Sequence, residues 1–442
     1  MEKIKVAVAD IDGVLRGKYL SKDKFLSAAA PAPNGGFGFC DVVFGWDMQD
    51  QCYDNARLVG WHKGFPDALV RLDLQTQRRV PWDDNIPFFL GEFVVRDDAG
   101  KETPHPLCPR QVLRRVIRRA EKLGFQPFCG MEFEWFNFAE TPQSWADKRY
   151  TNPQPLTPGM FGYSLLRASH GQAFFRAIMD QLPAFGVPIE GLHTETGPGV
   201  YEAAIAFSGA LEAADRATLF KTSVKELGLR HGAMPSFMPK WSAAYPGCSG
   251  HVHQSLGDGK RNLFHDARGR HGMSRLFESY LAGQLACMLE FGPLLWPTIN
   301  SYKRLVDGFW APVRPTWAVD NRTASFRVIP GSAKSTRLET RCPGADVNPY
   351  LAIAAVLAAG LHGVEKNLKL STPPVEGSND QNVPRAPRTL IETTRIFQKS
   401  EIARDWLGND FVDHFAGTRE WEWRQWLDAV TDWELKRYFE II

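Results

Sequence analysis

The sequence predicts an α+β fold with two domains, a small and mainly β domain followed by a larger α+β domain. Short apolar runs broken by Gly, Pro and Asp fill the first hundred residues, a pattern typical of strands. Beyond them, strand patterns interleave with long helical ones. We place the boundary after residue 103, so that the two domains span residues 1–103 and 104–442.

The apolar runs of the first domain lie at Ile4–Val8, Val42–Trp46 and Phe88–Val95. The spacing changes at Pro109–Leu123, where apolar residues recur at helical intervals among basic ones, and Gly124 follows. Because glycine is the common residue just beyond a helix C-terminus, this segment predicts an amphipathic helix that opens the second domain.

The second domain alternates predicted strands, helices and loops. The predicted strands are Cys129–Phe138, Val200–Phe207, Gly250–Ser255 and Ser325–Ile329. The predicted helices are Ser169–Gln181, Gly209–Glu226, Met273–Phe291 and Tyr350–Val364. Two segments rich in proline and polar residues are predicted as long surface loops, Glu140–Gly162 and Leu370–Thr389.

Composition excludes several classes of protein. The 442 residues carry 52 basic and 50 acidic side chains, a net charge of +2, so no global field favours nucleic acid. No uncharged apolar stretch reaches the ~20 residues that span a bilayer, and no signal peptide is visible, so we expect a cytoplasmic protein that does not enter membranes. Seven scattered cysteines without a CxxC pair indicate reduced thiols rather than a zinc or disulfide framework.

Four glutamates are spaced so that they can share one face of a sheet. Glu132 and Glu134 are two residues apart within a predicted strand, and aromatic residues alternate with them. Glu195 and Glu202 flank a Gly-Pro-Gly turn, so both can lie on paired strands. A solvated strand face is the alternative for Glu132 and Glu134 alone, but four carboxylates together require a cation.

The same two-residue period recurs twice more. His251 and His253 bring imidazoles to one face, and Glu339 stands between Arg337 and Arg341. Five glutamates and one ligand histidine on β segments match a hard divalent cation site for Mg²⁺ or Mn²⁺. Two metal ions are the economical number.

Five arginines lie within 38 residues: Arg304, Arg322, Arg327, Arg337 and Arg341. One interpretation is that they are surface charges on solvent-exposed strands. Their guanidinium groups are suited to bidentate binding of phosphates and a carboxylate substrate. Beside a metal site they indicate phosphoryl transfer.

Several segments resemble signature segments of the glutamine synthetase superfamily. They are Phe237–Lys240, Asn300–Leu305, Asp320–Arg327 and Gly344–Tyr350, and the order of the Glu132, Glu195 and His251 segments matches as well. The resemblance covers essentially the whole chain. It implies a β-grasp-like N-terminal domain followed by a glutamine-synthetase-type catalytic domain.

The resemblance also implies roles for individual residues. One metal would be held by Glu134, Glu195 and Glu202, and a second by Glu132, His251 and Glu339, with two ions per active site, or three. The residues around ATP would be Phe207, His253, Ser255 and Arg337. Two catalytic arginines, Arg322 and Arg327, would bind the phosphates. Two further arginines, Arg304 and Arg341, would bind the carboxylates of glutamate. A homo-oligomeric ring, a hexamer or a dodecamer, is implied, with active sites between subunits.

Two departures from the family concern its ammonium site. Trp310 occupies the position before Ala-Pro where ammonia-using members have a glutamate. The Asp-Gly-Ser-Ser segment, whose aspartate deprotonates ammonium, is missing, and Asp41, Asp47 and Asp54 are the replacements we considered.

These departures predict a ligase of the glutamate–amine branch that forms γ-glutamyl phosphate and transfers the glutamyl group to an organic amine. Trp310 favours a monoamine with an apolar or aromatic body. The alternatives are a glutamine synthetase using ammonia and a γ-glutamylpolyamine synthetase.

Three competing hypotheses are weaker. Asp10 and Asp12 in Val8–Val14 resemble the nucleophile motif of haloacid-dehalogenase-like phosphatases, but the βα alternation of that fold does not follow. The His251–His253 pair resembles that of an amidohydrolase barrel, yet it lies too late in its domain. A catalytically dead structural homologue would need broken metal ligands, and all six are present.

Overall fold

The computed structural model describes residues 2–377 and 382–442. The chain forms one sheet in its N-terminal part and a second, larger sheet with helices in the remainder, so the α+β prediction is confirmed. Part of the predicted loop Leu370–Thr389 lies outside the described residues.

The N-terminal sheet has six strands and one short helix. They are β1 (Lys3–Ala9), β2 (Leu15–Ser21), α1 (Lys22–Ala28), β3 (Phe37–Cys40), β4 (Asp67–Val80), β5 (Ile86–Arg96) and β6 (Glu102–Pro104). The strand order is β2-β1-β5-β4-β3, with β6 beside β5, and β1 and β5 are parallel. Asp84 and Asn85 take positive φ angles of 49° and 53° between β4 and β5, as a tight hairpin turn requires. The predicted domain boundary falls within β6 and stays a prediction.

One of the three apolar runs is not a strand. Val42–Trp46 overlaps a 3₁₀ turn at Asp41–Phe44. Val43 and Phe44 are both buried there, whereas consecutive residues of a strand point to opposite faces. The turn lets both side chains enter the small core of this domain.

The larger sheet has nine strands. They are β7 (Gln126–Phe138), β8 (Ile189–Thr194), β9 (Val200–Ile205), β10 (Ser208–Gly209), β11 (Met234–Ser236), β12 (Gly250–Gly257), β13 (Trp317–Val319), β14 (Phe326–Ile329) and β15 (Arg337–Thr340). The main order is β13-β14-β15-β12-β7-β9-β8, with β10 and β11 also paired to β7. All four strands predicted for this domain are present.

Thirteen helices accompany this sheet. They are α2 (Pro109–Lys122), α3 (Pro142–Asp147), α4 (Leu165–His170), α5 (Gln172–Ala184), α6 (Ala210–Arg230), α7 (Arg275–Cys287), α8 (Gly292–Leu295), α9 (Ile299–Arg304), α10 (Pro349–Glu365), α11 (Leu390–Lys399), α12 (Glu401–Leu407), α13 (Asn409–Asp428) and α14 (Asp432–Tyr438). None of these described helices is both long and apolar enough to cross a bilayer.

Three predicted segments differ in detail. The helix predicted at Ser169–Gln181 is divided between α4 and α5 at Gly171, where a Cβ would lie 2.3 Å from the Tyr201 hydroxyl. The predicted loop Glu140–Gly162 contains α3, which a Thr141 capping box begins. The predicted helix Met273–Phe291 is shorter because Ser274 caps α7 and the helix ends at Cys287.

The two faces of β7 have different roles. Phe133 and Trp135 point to the rear of the sheet, where they pack against Phe220 of α6 and Phe237. Because side chains alternate along a strand, Glu132 and Glu134 point to the opposite face. The buried aromatic layer therefore supports the strand that carries two of the predicted metal ligands.

Candidate active site

The strand register brings the predicted metal ligands together. Glu132 is opposite His251 on β12, and Glu134 is opposite Glu202 on β9. Glu339 of β15 is opposite His253 of β12. Four strands thus contribute carboxylates and imidazoles to one sheet face.

Three groups of side chains are close enough to hold an ion, each with its ligand atoms within 4.8 Å of one another: Glu132, His251 and Glu339; Glu134, Glu202 and His251; and His193, Glu195 and Glu202. The first group is the set predicted for one metal. The set predicted for the other, Glu134, Glu195 and Glu202, is divided between two groups that share Glu202.

The charges of this cluster are only partly balanced within the protein. Burial raises the pKa of Glu202 to about 9, helped by the neighbouring Glu134 and Glu132. Burial would also raise the pKa of Glu339, but Arg341 and His251 outweigh it and hold that pKa at about 2. Carboxyl groups that repel one another in this way can all ionise when a cation binds among them and balances their negative charge.

The donor set fits a divalent cation. The buried Nε2 atom of His251 has no hydrogen-bond partner among the described residues, and its Nδ1 atom lies 3.3 Å from Glu132 Oε2. Carboxylate oxygens with a single imidazole nitrogen suit Mg²⁺ or Mn²⁺ better than a thiolate-seeking metal.

A cavity of about 260 Å³ adjoins this cluster, and Glu132 forms part of its wall. It is lined by all four residues predicted around ATP, Phe207, His253, Ser255 and Arg337. Arg337 Nε donates to His253 Nδ1 at 3.1 Å. Two charged residues that the sequence analysis missed, Glu190 and Lys334, line the same cavity.

Two of the predicted arginines have their side chains on the carboxylate face. Arg327 Nη1 donates to Glu339 Oε2 at 2.9 Å, and Arg341 Nη1 donates to the other oxygen of Glu339. Arg341 Nε also bonds to the carbonyl of Arg322 at 2.9 Å, whereas the side chain of Arg322 is exposed. These guanidinium groups bring positive charge to one end of the carboxylate cluster.

Arg304 lies deeper than the sequence suggests. Its side chain is 1% exposed, and it donates to the Cys342 carbonyl at 2.9 Å and to Ser249 Oγ at 2.5 Å. Ser249 in turn donates its backbone N–H to Glu134 at 2.7 Å. Arg304 is therefore connected to the metal-ligand strand through one residue, and its binding of glutamate stays a prediction.

Trp310 is 60% exposed and has a positive φ of 62°. It lines a cavity of about 200 Å³ whose wall also includes Pro312, Val313, Thr323 and Val375. Asp307 brings a carboxylate to this wall, and its Oδ2 atom lies 3.6 Å from Arg385 Nε.

Two residues beside the carboxylate cluster were not predicted from the sequence, His193 and Tyr163. Their rings stack with centroids 4.4 Å apart, and His193 Nε2 lies 3.7 Å from Glu202 Oε2. His193 precedes Glu195 by two residues, the same period that marked the other ligands, so the signal was present. Tyr163 directly follows the predicted loop Glu140–Gly162, where no periodicity could reveal it.

The Asp10 motif has a structural role. Its carboxylate accepts hydrogen bonds from the backbone of Asp12 and Val14 and from Arg16 Nε at 2.9–3.0 Å. Asp12 pairs with Arg419 at 2.7 Å. The sheet that follows is largely antiparallel, which excludes the phosphatase fold, and His251–His253 likewise lie in an antiparallel sheet rather than in a barrel.

Comparison with known proteins agrees with the geometry of the site. Residues 106–438 match the glutamine synthetase catalytic domain. The type-1 glutamine synthetase 2 of Dictyostelium discoideum is 51% identical over 446 residues, 99% of this chain and 84% of that protein. The glutamate–isopropylamine ligase of a Pseudomonas species is 36% identical over 447 residues, 100% of this chain and 96% of that protein.

A solved structure is similar over the same extent. The GmaS/ADP complex in conformation 1 superposes with a TM-score of 0.84 at 26% identity, covering 99% of this chain and 97% of that chain. The chain therefore belongs to the glutamine synthetase family of ATP- and metal-dependent ligases.

Proposed function

We propose that the protein joins the γ-carboxylate of glutamate to an organic monoamine with an apolar or aromatic body, at the expense of ATP. The observation that carries this proposal is Trp310, an exposed indole on a cavity wall. By the family resemblance, ammonia-using members have a glutamate at this position. An indole offers an apolar face to a hydrocarbon amine and no negative charge to ammonium. The similarity to a glutamate–isopropylamine ligase supports the same class of acceptor.

The reaction we propose has two steps. The γ-phosphoryl group of ATP passes to the γ-carboxylate of glutamate, giving γ-glutamyl phosphate and ADP. The free amine then attacks the γ-carbonyl carbon and loses a proton, and phosphate leaves with the C–O bond electrons. A γ-glutamyl amide results.

The residues of the sheet face would divide the work of the first step. Glu132, His251 and Glu339, which lie close together, would hold one divalent ion. Glu134, Glu195 and Glu202 would hold another, as the family resemblance implies. When bound, such ions supply positive charge to phosphate oxygens. Arg322 and Arg327 would neutralise charge on the transferring phosphoryl group, while Arg304 and Arg341 would bind the carboxylates of glutamate.

The second step needs a group that takes the proton of the amine, and we assign Asp41 to it. Among the three aspartates considered, Asp47 accepts from Trp421 Nε1 and Asp54 from Arg424, both at 3.0 Å. The Oδ1 atom of Asp41 is buried without a partner in the described part of the chain. Burial and the nearby Asp67 raise the pKa of Asp41, which makes its carboxylate a better base.

Asp41 belongs to the N-terminal domain, so its role depends on the assembly. We propose a homo-oligomeric ring in which the N-terminal domain of one subunit closes the catalytic sheet of the next. The exposed apolar side chains beside the metal ligands, including Tyr163, Leu165 and Leu166, support a covered surface here.

Glutamine synthetase activity with ammonia is a second candidate. It is favoured by the 51% identity to the Dictyostelium discoideum glutamine synthetase. Both candidates share the metal, ATP and glutamate sites and differ only in the acceptor.

The deciding experiment measures ADP release with glutamate, ATP and Mg²⁺ across ammonia, putrescine, isopropylamine and benzylamine. We expect an apolar monoamine to give the highest kcat/KM, and Trp310→Glu to raise the ratio of ammonia to monoamine turnover. Trp310→Phe is the matched control and should keep the wild-type preference. A wild type that prefers ammonia establishes glutamine synthetase instead, and a preference for putrescine contradicts the apolar acceptor.

A further inference from the structure

We infer that Lys240 is a positioning residue for the acceptor: its ammonium group holds the ring of Phe309 and thereby the turn that presents Trp310. The inference rests on the proposed function because it assumes that Trp310 contacts the acceptor. It adds a residue of the Phe237–Lys240 segment, which otherwise has no part in the reaction.

Lys240 is a buried cation whose ammonium group contacts neutral partners, a backbone carbonyl and an aromatic ring. The residue is 6% exposed, and Nζ donates to the carbonyl of Tyr245. Nζ also lies 4.5 Å from the centroid of the Phe309 ring. Within residues 2–377 and 382–442, no carboxylate oxygen lies within 4.0 Å of Nζ. The π face of Phe309 is therefore a main counterpart of a desolvated ammonium group, the setting in which cation–π contacts are strongest.

The backbone of Lys240 is held on both sides. Its N–H donates to Asn300 Oδ1 at 2.8 Å, and Asn300 Nδ2 donates to its carbonyl at 2.8 Å. Asn300 lies in α9, the helix that ends at Arg304, directly before the Trp310 turn. Lys240 thus provides a fixed point against which the turn can be held.

The turn itself needs an external support. Gly308 and Trp310 have φ angles of +85° and +62°, and the left-handed region is unfavourable for a large aromatic residue. Phe309 is half-buried over Lys240, whereas its neighbour Trp310 is exposed. Because Phe309 immediately precedes Trp310 in the chain, anchoring the Phe309 ring limits where the Trp310 indole can lie.

A second anchor holds the start of the turn but not its tip. Arg385 Nη2 donates to the Leu305 carbonyl at 2.5 Å, and Arg385 Nε lies 3.6 Å from Asp307. Both contacts precede Gly308, where the chain can pivot. The contact of Lys240 with the Phe309 ring lies beyond this pivot, next to Trp310.

The test compares Lys240→Met, Phe309→Leu and the double variant with the wild type. Methionine keeps most of the side-chain length but removes the charge. We expect each single variant to raise the KM for the best acceptor about tenfold, with the KM for ATP unchanged. The double variant should be no worse than either single one, since both remove the same contact. Lys240→Arg keeps a cation on the ring, so its KM for the acceptor should stay close to the wild-type value.

Lys303→Met is the matched control, because Lys303 is an exposed lysine of the neighbouring helix α9. An unchanged acceptor KM in Lys240→Met, or additive effects in the double variant, would overturn the inference. A rise confined to the KM for glutamate would also overturn it, by assigning Lys240 to the buried Arg304 instead. If Lys240→Met does not fold, Phe309→Leu against Phe309→Tyr makes the same comparison.

The acceptor in this test is whichever amine the wild type turns over fastest. If that acceptor is ammonia, the proposed monoamine function fails, and the variants still report on Lys240. If a monoamine is preferred but the variants behave as the wild type, only the role of Lys240 fails.

Discussion

Glu339 illustrates how much a single side chain of this site does. Its side chain is 1% exposed and carries hydrogen bonds from Arg327 and Arg341, while His251 Nδ1 lies 3.5 Å away. Arg341 and His251 hold its pKa at about 2, so the carboxyl group is ionised. An ionised and buried carboxylate at this point is ready to bind a metal ion without first losing a proton.

Glu339→Gln should therefore lose more than about nine-tenths of the activity, because an amide neither balances the charge of a cation nor pairs with both arginines. The melting temperature of the wild type should rise on addition of Mn²⁺, since the ion binds only the folded chain, and this rise should be clearly smaller in the variant, which loses a ligand of one of the two proposed ions. Glu401→Gln, an exposed glutamate in the first turn of α12, is the control. A variant that keeps its activity or the full wild-type Mn²⁺-dependent rise would remove Glu339 from the metal ligands.

Lys221 allows a test of the packing behind the catalytic strand. Its Nζ atom lies 5.5 Å from the ring centroids of both Phe133 and Phe237, and it donates to the Val347 carbonyl at 2.9 Å. Burial lowers the pKa of Lys221 to about 7 from the usual 10.5.

Between pH 7 and 10.5 the unfolded chain keeps the Lys221 proton, whereas the folded chain has released it. The unfolded state then binds more protons, so folding stability rises with pH in this window and levels off below it. The difference in unfolding free energy between wild type and Lys221→Met should follow that course in denaturant titrations of the metal-free protein. A difference that does not vary with pH would show that Lys221 is solvated.

At the scale of elements, β7 connects the cluster of candidate metal ligands to the cavity proposed to bind ATP. Gly130 is opposite His253 in the register and lines the cavity, and a Cβ there would lie 3.3 Å from Phe207 Cβ. Phe207 is 64% exposed just beyond β9, so its ring depends on this close approach for its position. A glycine in mid-strand is consistent with a ligand or a second backbone lying close to it.

Gly130→Val should raise the KM for ATP several-fold, because the new side chain displaces Phe207 and fills part of the cavity. The KM for glutamate should stay near the wild-type value. Calorimetric titration with ADP provides a measurement that does not depend on turnover. Equal changes in both KM values would mean that the substitution distorts β7 as a whole and not the ATP side alone.

At the scale of the whole molecule, a buried ion network joins the two sheets. Arg110 of α2 donates to both oxygens of Asp215, to Glu92 and to Asp73, at 2.8–2.9 Å. Asp73 and Glu92 lie on β4 and β5 of the N-terminal sheet, and Asp215 lies on α6. A buried guanidinium that loses a carboxylate partner is an uncompensated charge, which strongly destabilises the fold. This network therefore opposes rotation of one sheet against the other.

The proposed shared site can be tested by mixing subunits. Asp41→Asn and Glu339→Gln change different domains, so each should be inactive alone, whereas mixed rings should recover about a quarter of the wild-type activity. That fraction is the chance that two unaltered domains meet at one site. Mixing Glu134→Ala with Glu339→Gln, which both alter the catalytic domain, should give no recovery. Absence of recovery in the first mixture would place each site within a single chain.

Much of this organisation could be inferred from the order of amino acids, because it depends on local spacing. The two-residue period of Glu132 and Glu134 assigned both to one face of a strand, and the helix of α2 followed from its apolar spacing and Gly124. The clustering of Glu132, His251 and Glu339 was also anticipated, but through resemblance to a family rather than through spacing.

The remainder depended on how distant segments meet. The pairing of Glu134 with Glu202, the burial of Arg304 and the stacking of Tyr163 on His193 each join residues that are far apart or in irregular loops. The periodicity of the sequence does not predict such contacts, because strand register and burial depend on the packing of the whole sheet. The ring of Phe309 over Lys240 is of the same kind: two residues 69 positions apart, brought together because α9 ends beside the segment that follows β11.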